Sequence, residues 1–201
     1  MIRRLPLLAL PLLLAACATT PQNTPPETLY HARLDTAQGQ ALTFEQAVAR
    51  VADADIVLVG ELHTHPAIHL LQARLLAGLD EMSQADGRAL VLSMEQFSRA
   101  DQPVLDAYLA GRIGESALIR DGHAWPNYQS DYRPLVEFAK AQHLPVIAAN
   151  APKPLVSCVG QEGPAWLDKL PANRRSQLAR ELTLGDDGYR QKFMASMHHG
   201  D

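Results

Sequence analysis

Ten consecutive residues concentrate the chemistry of this chain: Gly60-Glu61-Leu62-His63-Thr64-His65-Pro66-Ala67-Ile68-His69. They carry one carboxylate and three imidazoles. Glu61 and His63 lie two apart, so an extended backbone puts them on one face. His65 and His69 lie four apart and share a face if the helix starting at Pro66 reaches back by one residue. Gly60 permits a tight turn and a close backbone approach. A helix N-terminus near Pro66 favours anionic groups around it. Glu and His together suit proton transfer and divalent-metal binding. Glu95, in Leu92-Ser93-Met94-Glu95-Gln96-Phe97, supplies a second carboxylate from another part of the chain. His69, between Ile68 and Leu70, is the weakest member of this cluster and reads as easily as a surface or packing residue. His31, His123 and His143 read as surface residues.

Two further stretches stand out. Trp125-Pro126-Asn127-Tyr128-Gln129-Ser130-Asp131-Tyr132-Arg133-Pro134 places three aromatic rings and an arginine before a helix. Flat rings line pockets for flat apolar ligands, and arginine pairs with carboxylates through two hydrogen bonds. The same rings also suit a loop that fills the edge of a core. Near the C-terminus, Tyr189, Phe193, Met194 and Met197 recur at helical spacing, followed by His198 and His199.

The elements that must hold these residues follow from periodicity. Thr43 and Gln46 form a capping box for a helix. Residues 55–60 are a continuous apolar run rich in β-branched side chains, as expected of a buried strand. Pro66 opens a helix to about residue 79. Residues 89–94 and 145–149 read as two more buried strands. Helices are expected over 102–109, from 131 or 133 to 142, and over 154–159, 164–170, 172–182 and 187–197. Buried strands separated by helices call for right-handed crossovers and a parallel sheet. The expected fold is therefore α/β: a three-layer core, a mainly parallel sheet flanked by helices, with helical insertions. Ligands of such sheets sit beyond the carboxyl ends of the strands, next to Glu61, Glu95 and Asn150.

The N-terminus carries a different signal. Arg3 and Arg4 precede an apolar run from Leu5 to Ala16, too short for the roughly twenty residues that a spanning helix needs. It reads as a signal peptide over residues 1–16. Leu14-Ala15-Ala16-Cys17 resembles a bacterial lipobox, which implies lipidation of Cys17 and a membrane anchor. Ala18, in place of Asp, implies the outer membrane, facing the periplasm. Residues 17–30 then form the lipidated cysteine and a Thr/Pro-rich tether, and residues 31–201 a single domain. Cys158 has no partner for an intramolecular disulfide and reads as a buried, inert thiol. The 201 residues are 47% hydrophobic and 20% charged, with a net charge of −4. That composition excludes a disordered chain, and without a basic stripe no nucleic-acid partner is expected.

Several motifs taken together resemble the ChaN-like family of haem-binding uptake lipoproteins, from about Ala32 to the C-terminus. They are Val57-Leu58-Val59-Gly60-Glu61-Leu62-His63 with His69, Leu92-Ser93-Met94-Glu95-Gln96-Phe97, and Gln102-Pro103-Val104-Leu105-Asp106-Ala107-Tyr108-Leu109-Ala110-Gly111. Tyr132-Arg133-Pro134-Leu135 and Pro145-Val146-Ile147-Ala148-Ala149-Asn150-Ala151-Pro152 complete the set. The resemblance implies non-covalent, b-type haem and a role in iron acquisition beside outer-membrane uptake machinery. A homodimer enclosing the cofactor is one arrangement it implies. The iron ligand would be a tyrosine, with Tyr128, Tyr132 and Tyr189 as candidates and His198 or His199 nearby. Arg133 would pair with a propionate. Phenolate is a hard anionic donor suited to ferric iron. Members of the family continue with further helices, so the domain is expected to be shortened after Asp201.

The Gly-Glu-x-His element also resembles the wider superfamily of Tiki-type metalloproteases and erythromycin esterases. That resemblance implies an alternative, a hydrolase in which Glu61, His63 and Glu95 are catalytic. Glu61, His63 and His65 would then bind a divalent metal such as zinc or manganese, or the carboxylates would activate a water. The haem-binding reading involves no catalysis.

Overall fold

A computed structural model of the chain describes residues 28–183, 185 and 188–197. The signal peptide, Cys17 and His198 lie outside the described residues. A short antiparallel hairpin comes first, β1 (Leu34–Asp35) and β2 (Ala41–Leu42), with Leu34 opposite Leu42. Helix α1 (Phe44–Val51) starts as its sequence predicts. The Thr43 side chain accepts from the Gln46 N–H, and the Gln46 side chain accepts from the Thr43 N–H. Helix α2 (Pro66–Ala85) begins at the expected proline but runs six residues past the expected end. Glu81, Met82 and Gln84 are good helix formers, and the stop comes at Gly87, whose φ of 67° lies in the left-handed region.

Strand β3 (Leu92–Ser98), a 3₁₀ turn (Arg99–Asp101), α3 (Gln102–Leu109) and α4 (Glu115–Asp121) follow. A π turn (Tyr128–Tyr132) leads into α5 (Arg133–Ala141), then β4 (Val146–Asn150) and α6 (Lys153–Glu162). A 3₁₀ segment (Pro164–Lys169), α7 (Ala172–Arg175) and α8 (Gly188–Met197) end the described chain. Sequence patterning missed α4, and the helix expected over 172–182 is only the four residues of α7.

The class is α/β, as expected. β3 and β4 pair in parallel, from Leu92 opposite Val146 to Ser98 opposite Asn150, and helices flank them. The sheet is smaller than expected. Among the described residues the parallel sheet has two strands, because residues 55–60 join no ladder. Ile56 is 77% exposed and Leu58 90%. β3 also starts later than expected, so Glu95 lies inside the strand and not beyond its end.

Between Met94 and Ser98 the register shifts. That irregularity breaks the alternation of faces, and the consecutive residues Gln96 and Phe97 are both buried. The far edge of β4 is closed by a side chain. The Gln102 amide donates to the Val146 carbonyl at 2.8 Å and accepts from the Ala148 N–H at 2.8 Å. It thereby replaces a neighbouring strand.

Phe97, Leu105, Leu118, Val136 and Ala148 form the centre of the core, with the rings of Tyr108, Tyr128 and Tyr132. Tyr108 donates to Glu137, so its hydroxyl is satisfied despite burial. Outside this core, α1 crosses α2 at Gly78. A Cβ there would stand 3.0 Å from Val48 Cγ2 and 3.2 Å from Cγ1. Val48 is buried and, being β-branched, has essentially one helical rotamer. Gly78→Ala should gain about 1 kcal/mol of helix propensity but force the helices apart at about 2 kcal/mol. The expected net loss is about 1 kcal/mol, read as a fall of roughly 2–4 °C in melting temperature.

Candidate functional site

The residue after the unpaired run, Glu61, is the hub of a largely buried polar network. Its side chain is 8% exposed. Oε1 accepts from Tyr132 Oη at 2.7 Å, from His63 Nδ1 at 2.6 Å and from Gln96 Nε2 at 3.3 Å. Oε2 accepts from Gln72 Nε2 at 2.7 Å. Gln72 then accepts, through Oε1, from His69 Nδ1 at 3.0 Å. His69 is 7% exposed, and among the described residues its Nε2 has no hydrogen-bond partner, the nearest acid being Asp131 Oδ2 at 3.5 Å. Asn127 Nδ2 donates to that same Asp131 oxygen at 2.7 Å. Aromatic rings close the network. His63 meets Trp125 edge-on at 5.0 Å, and Tyr132 meets His69 at 5.1 Å and Trp125 at 5.9 Å.

Four elements converge here, and each has a local cause. The 62–65 turn is closed by a bond from the His65 N–H to the Leu62 carbonyl, with Thr64 at a φ of 68°. A β-branched residue in the left-handed region is strained. The turn frees Pro66 to start α2, which carries His69 and Gln72. The register shift in β3 turns Gln96 inward, and the π turn directs Asp131 and Tyr132 towards the cluster. Single π turns recur at functional sites.

The geometry sets the charges. Burial pushes the Glu61 carboxyl up. Hydrogen bonds from Tyr132, Gln72 and His63, with the charge of His69, outweigh it and hold the carboxyl below the usual range. Burial and the bond to Glu61 push the Tyr132 hydroxyl up to about 12. A carboxylate with four donors and lowered basicity is suited to anchoring its neighbours and is a poor proton acceptor. Among the described residues, no group of three or more His, Cys, Asp or Glu is placed to hold a metal ion.

Of the residues singled out in the sequence, Glu61, His63 and Tyr132 come together. Glu95 is exposed on β3 and makes no hydrogen bond or ion pair among the described residues. His65 caps α2 through its backbone, its carbonyl accepting from the Ile68 and His69 N–H groups, while its ring is exposed. Arg133 is ion-paired to Glu115 at 2.7 Å. Tyr128 is buried against Phe97, its hydroxyl without a hydrogen-bond partner among the described residues, and burial raises its pKa. Tyr189 is 78% exposed on α8. Cys158 is half-buried, more open than expected.

Gln72, Gln96, Asn127 and Asp131 were not singled out as site residues, and His69 was only the weakest member of the cluster. His69 and Gln72 had a usable signal, since three-residue spacing puts both on one face of α2, one turn after Glu61. Gln96 had none, because its inward face depends on the register shift.

A family model described as haem-binding uptake, Tiki superfamily, ChaN matches residues 47–201. The chain belongs to this family. The match covers the Glu61 network, β3, β4 and α8. No curated protein and no solved structure matches the chain.

Proposed function

We propose that this chain is a lipid-anchored haem-binding protein of haem or iron uptake or storage at the bacterial cell envelope. The observation that carries the reading, beside the family, is α8. Tyr189, Phe193 and Met197 recur every four residues along it, with Met194 beside them, and all four are exposed. No residue of α8 is buried among the described residues. A ten-residue helix with no buried residue is marginal in water, so this one calls for something to cover it.

Haem fits that need. Its apolar face suits Phe193 and Met197, and its ferric iron suits a phenolate oxygen. Tyr189 offers a phenol in reach of a ligand. Tyr128 and Tyr132 are enclosed, and Tyr132 is held by Glu61. Tyr189 would hold the iron, Phe193 and Met197 would lie against the porphyrin, and α8 of a second copy would cover the other side in a homodimer. Bound in this way, haem supplies an iron centre held by an oxygen donor. The cysteines at 17 and 158 form no Cys-x-x-Cys pair, which favours non-covalent, b-type haem. The lipobox at Cys17 supports an outer-membrane anchor facing the periplasm, where uptake machinery of that membrane is the partner.

Titration of the purified protein with haemin, followed by absorption, tests the reading. A saturable shift of the Soret band with high-spin ferric features is expected. A folded protein that gives no saturable shift overturns it.

A further inference from the structure

Helix α8 is divided along its length by charge. Its first half carries Arg190 and Lys192, its second half Phe193, Met194 and Met197, and residues 188–197 contain no Asp or Glu. The whole chain has a net charge of −4, so a cationic half-helix stands against an acidic background. Such a local patch is what admits an anionic ligand to an acidic protein. Lys192 follows Tyr189 by three residues, which sets the two side by side on the helix surface. Both are exposed, and among the described residues the Lys192 ammonium makes no hydrogen bond or ion pair. Its backbone carbonyl accepts from the Ser196 hydroxyl at 3.0 Å, one turn further on. Arg190 is already engaged within the protein.

Haem has the same division. Its porphyrin is apolar apart from two propionate carboxylates on one edge. With the iron on Tyr189 and the apolar body on Phe193 and Met197, the propionate edge is left for the cationic half of α8. Lys192 can meet it on a flexible four-carbon stem. Arg133, expected from the sequence to pair with a propionate, is ion-paired to Glu115 at 2.7 Å instead.

We propose that Lys192 pairs with a haem propionate and makes α8 selective for porphyrins that carry ionised carboxylates. The inference rests on the haem reading of α8 and adds to it the residue that recognises the charged edge of the ligand. An exposed ion pair changes affinity by up to about fivefold.

Titration of the full chain with haemin and with haemin dimethyl ester, which has no carboxylate charge, tests this. The parent should bind haemin about fivefold more tightly than the ester. Lys192→Ala should bring haemin affinity down to that of the ester. Lys192→Glu should reverse the preference, and Lys192→Arg should keep it. Lys153→Ala removes an exposed charge at the start of α6 and should leave the preference as it is. Equal affinity of the parent for both porphyrins overturns the proposal while the haem reading stands. So does a Lys192→Ala variant that weakens both porphyrins alike, which would mean a structural role. An equal effect of Lys153→Ala overturns it too, since net charge alone would then explain the preference. A folded parent that binds neither porphyrin overturns the haem reading, and this inference falls with it.

Discussion

Glu61→Ala is expected to lower the stability of the fold by about 3–5 kcal/mol, the range for removing one partner from a buried charged network. At roughly 2–4 °C per kcal/mol, the melting temperature falls by about 10 °C. The substitution removes the acceptor for Tyr132, His63, Gln72 and Gln96 at once. Tyr132 is fully buried and Gln96 nearly so, and each buried donor left unsatisfied costs about 1–3 kcal/mol. Water can reach His63, whose side chain is half-exposed, so its share is small. Glu61→Gln keeps the shape and one acceptor oxygen and should lose less. Thermal denaturation of the two variants beside the parent measures the difference. A loss below about 1 kcal/mol for Glu61→Ala would mean that the four donors find other partners and the network is not a structural hub.

The same network gives stability a two-sided pH dependence. In the unfolded chain the Glu61 carboxyl titrates near its ordinary value of about 4.3. In the folded chain it lies lower. The stabilisation is therefore complete above the unfolded value and is lost as pH falls through the folded one. The parent should lose more stability than Glu61→Gln between about pH 5 and pH 3. Tyr132 behaves in the opposite sense. Its hydroxyl is raised to about 12 in the fold, against about 10 unfolded. Its contribution is complete below about pH 10 and declines as pH rises towards the folded value.

Much of this arrangement is readable from local sequence. Thr43 and Gln46 are a capping box whose two bonds are both made, and Pro66 starts a helix where its fixed φ allows. Asp101 and Pro103 mark the start of α3. The Glu61–His63 pair is made as the two-residue spacing suggests, though His63 lies in the 62–65 turn and not on extended backbone. What was not readable depends on distant partners. Residues 55–60 have the composition of a strand, but a strand exists only when a neighbour accepts its hydrogen bonds, and none does so among the described residues. Gln96 lies beside Phe97 on the buried side because β3 shifts register against β4. His69 reads as an ordinary helix residue until Asp131 and Tyr132, more than sixty residues later, are folded against it. The tyrosines were legible as a set, but only the fold separates enclosed Tyr128 and Tyr132 from exposed Tyr189.

That separation makes the haem-binding proposal decisive at one atom. Tyr189→Phe removes a single oxygen from a side chain that is 78% exposed and keeps the ring. The fold should be unchanged, since no buried contact is lost. Haemin affinity is expected to fall by at least about 100-fold, because replacing even the outer partners of metal ligands costs 10–100-fold. The phenolate-to-iron charge-transfer band should disappear with it. Tyr132→Phe gives the opposite pair of results. It removes the bond to Glu61 and should cost about 1–3 kcal/mol of stability, while leaving the haem spectrum intact. If Tyr132→Phe abolishes the band and Tyr189→Phe spares it, the iron belongs at the Glu61 cluster, and the exposed face of α8 needs another occupant. If both variants keep the band and the affinity, neither tyrosine is the ligand, and the proposal for α8 falls.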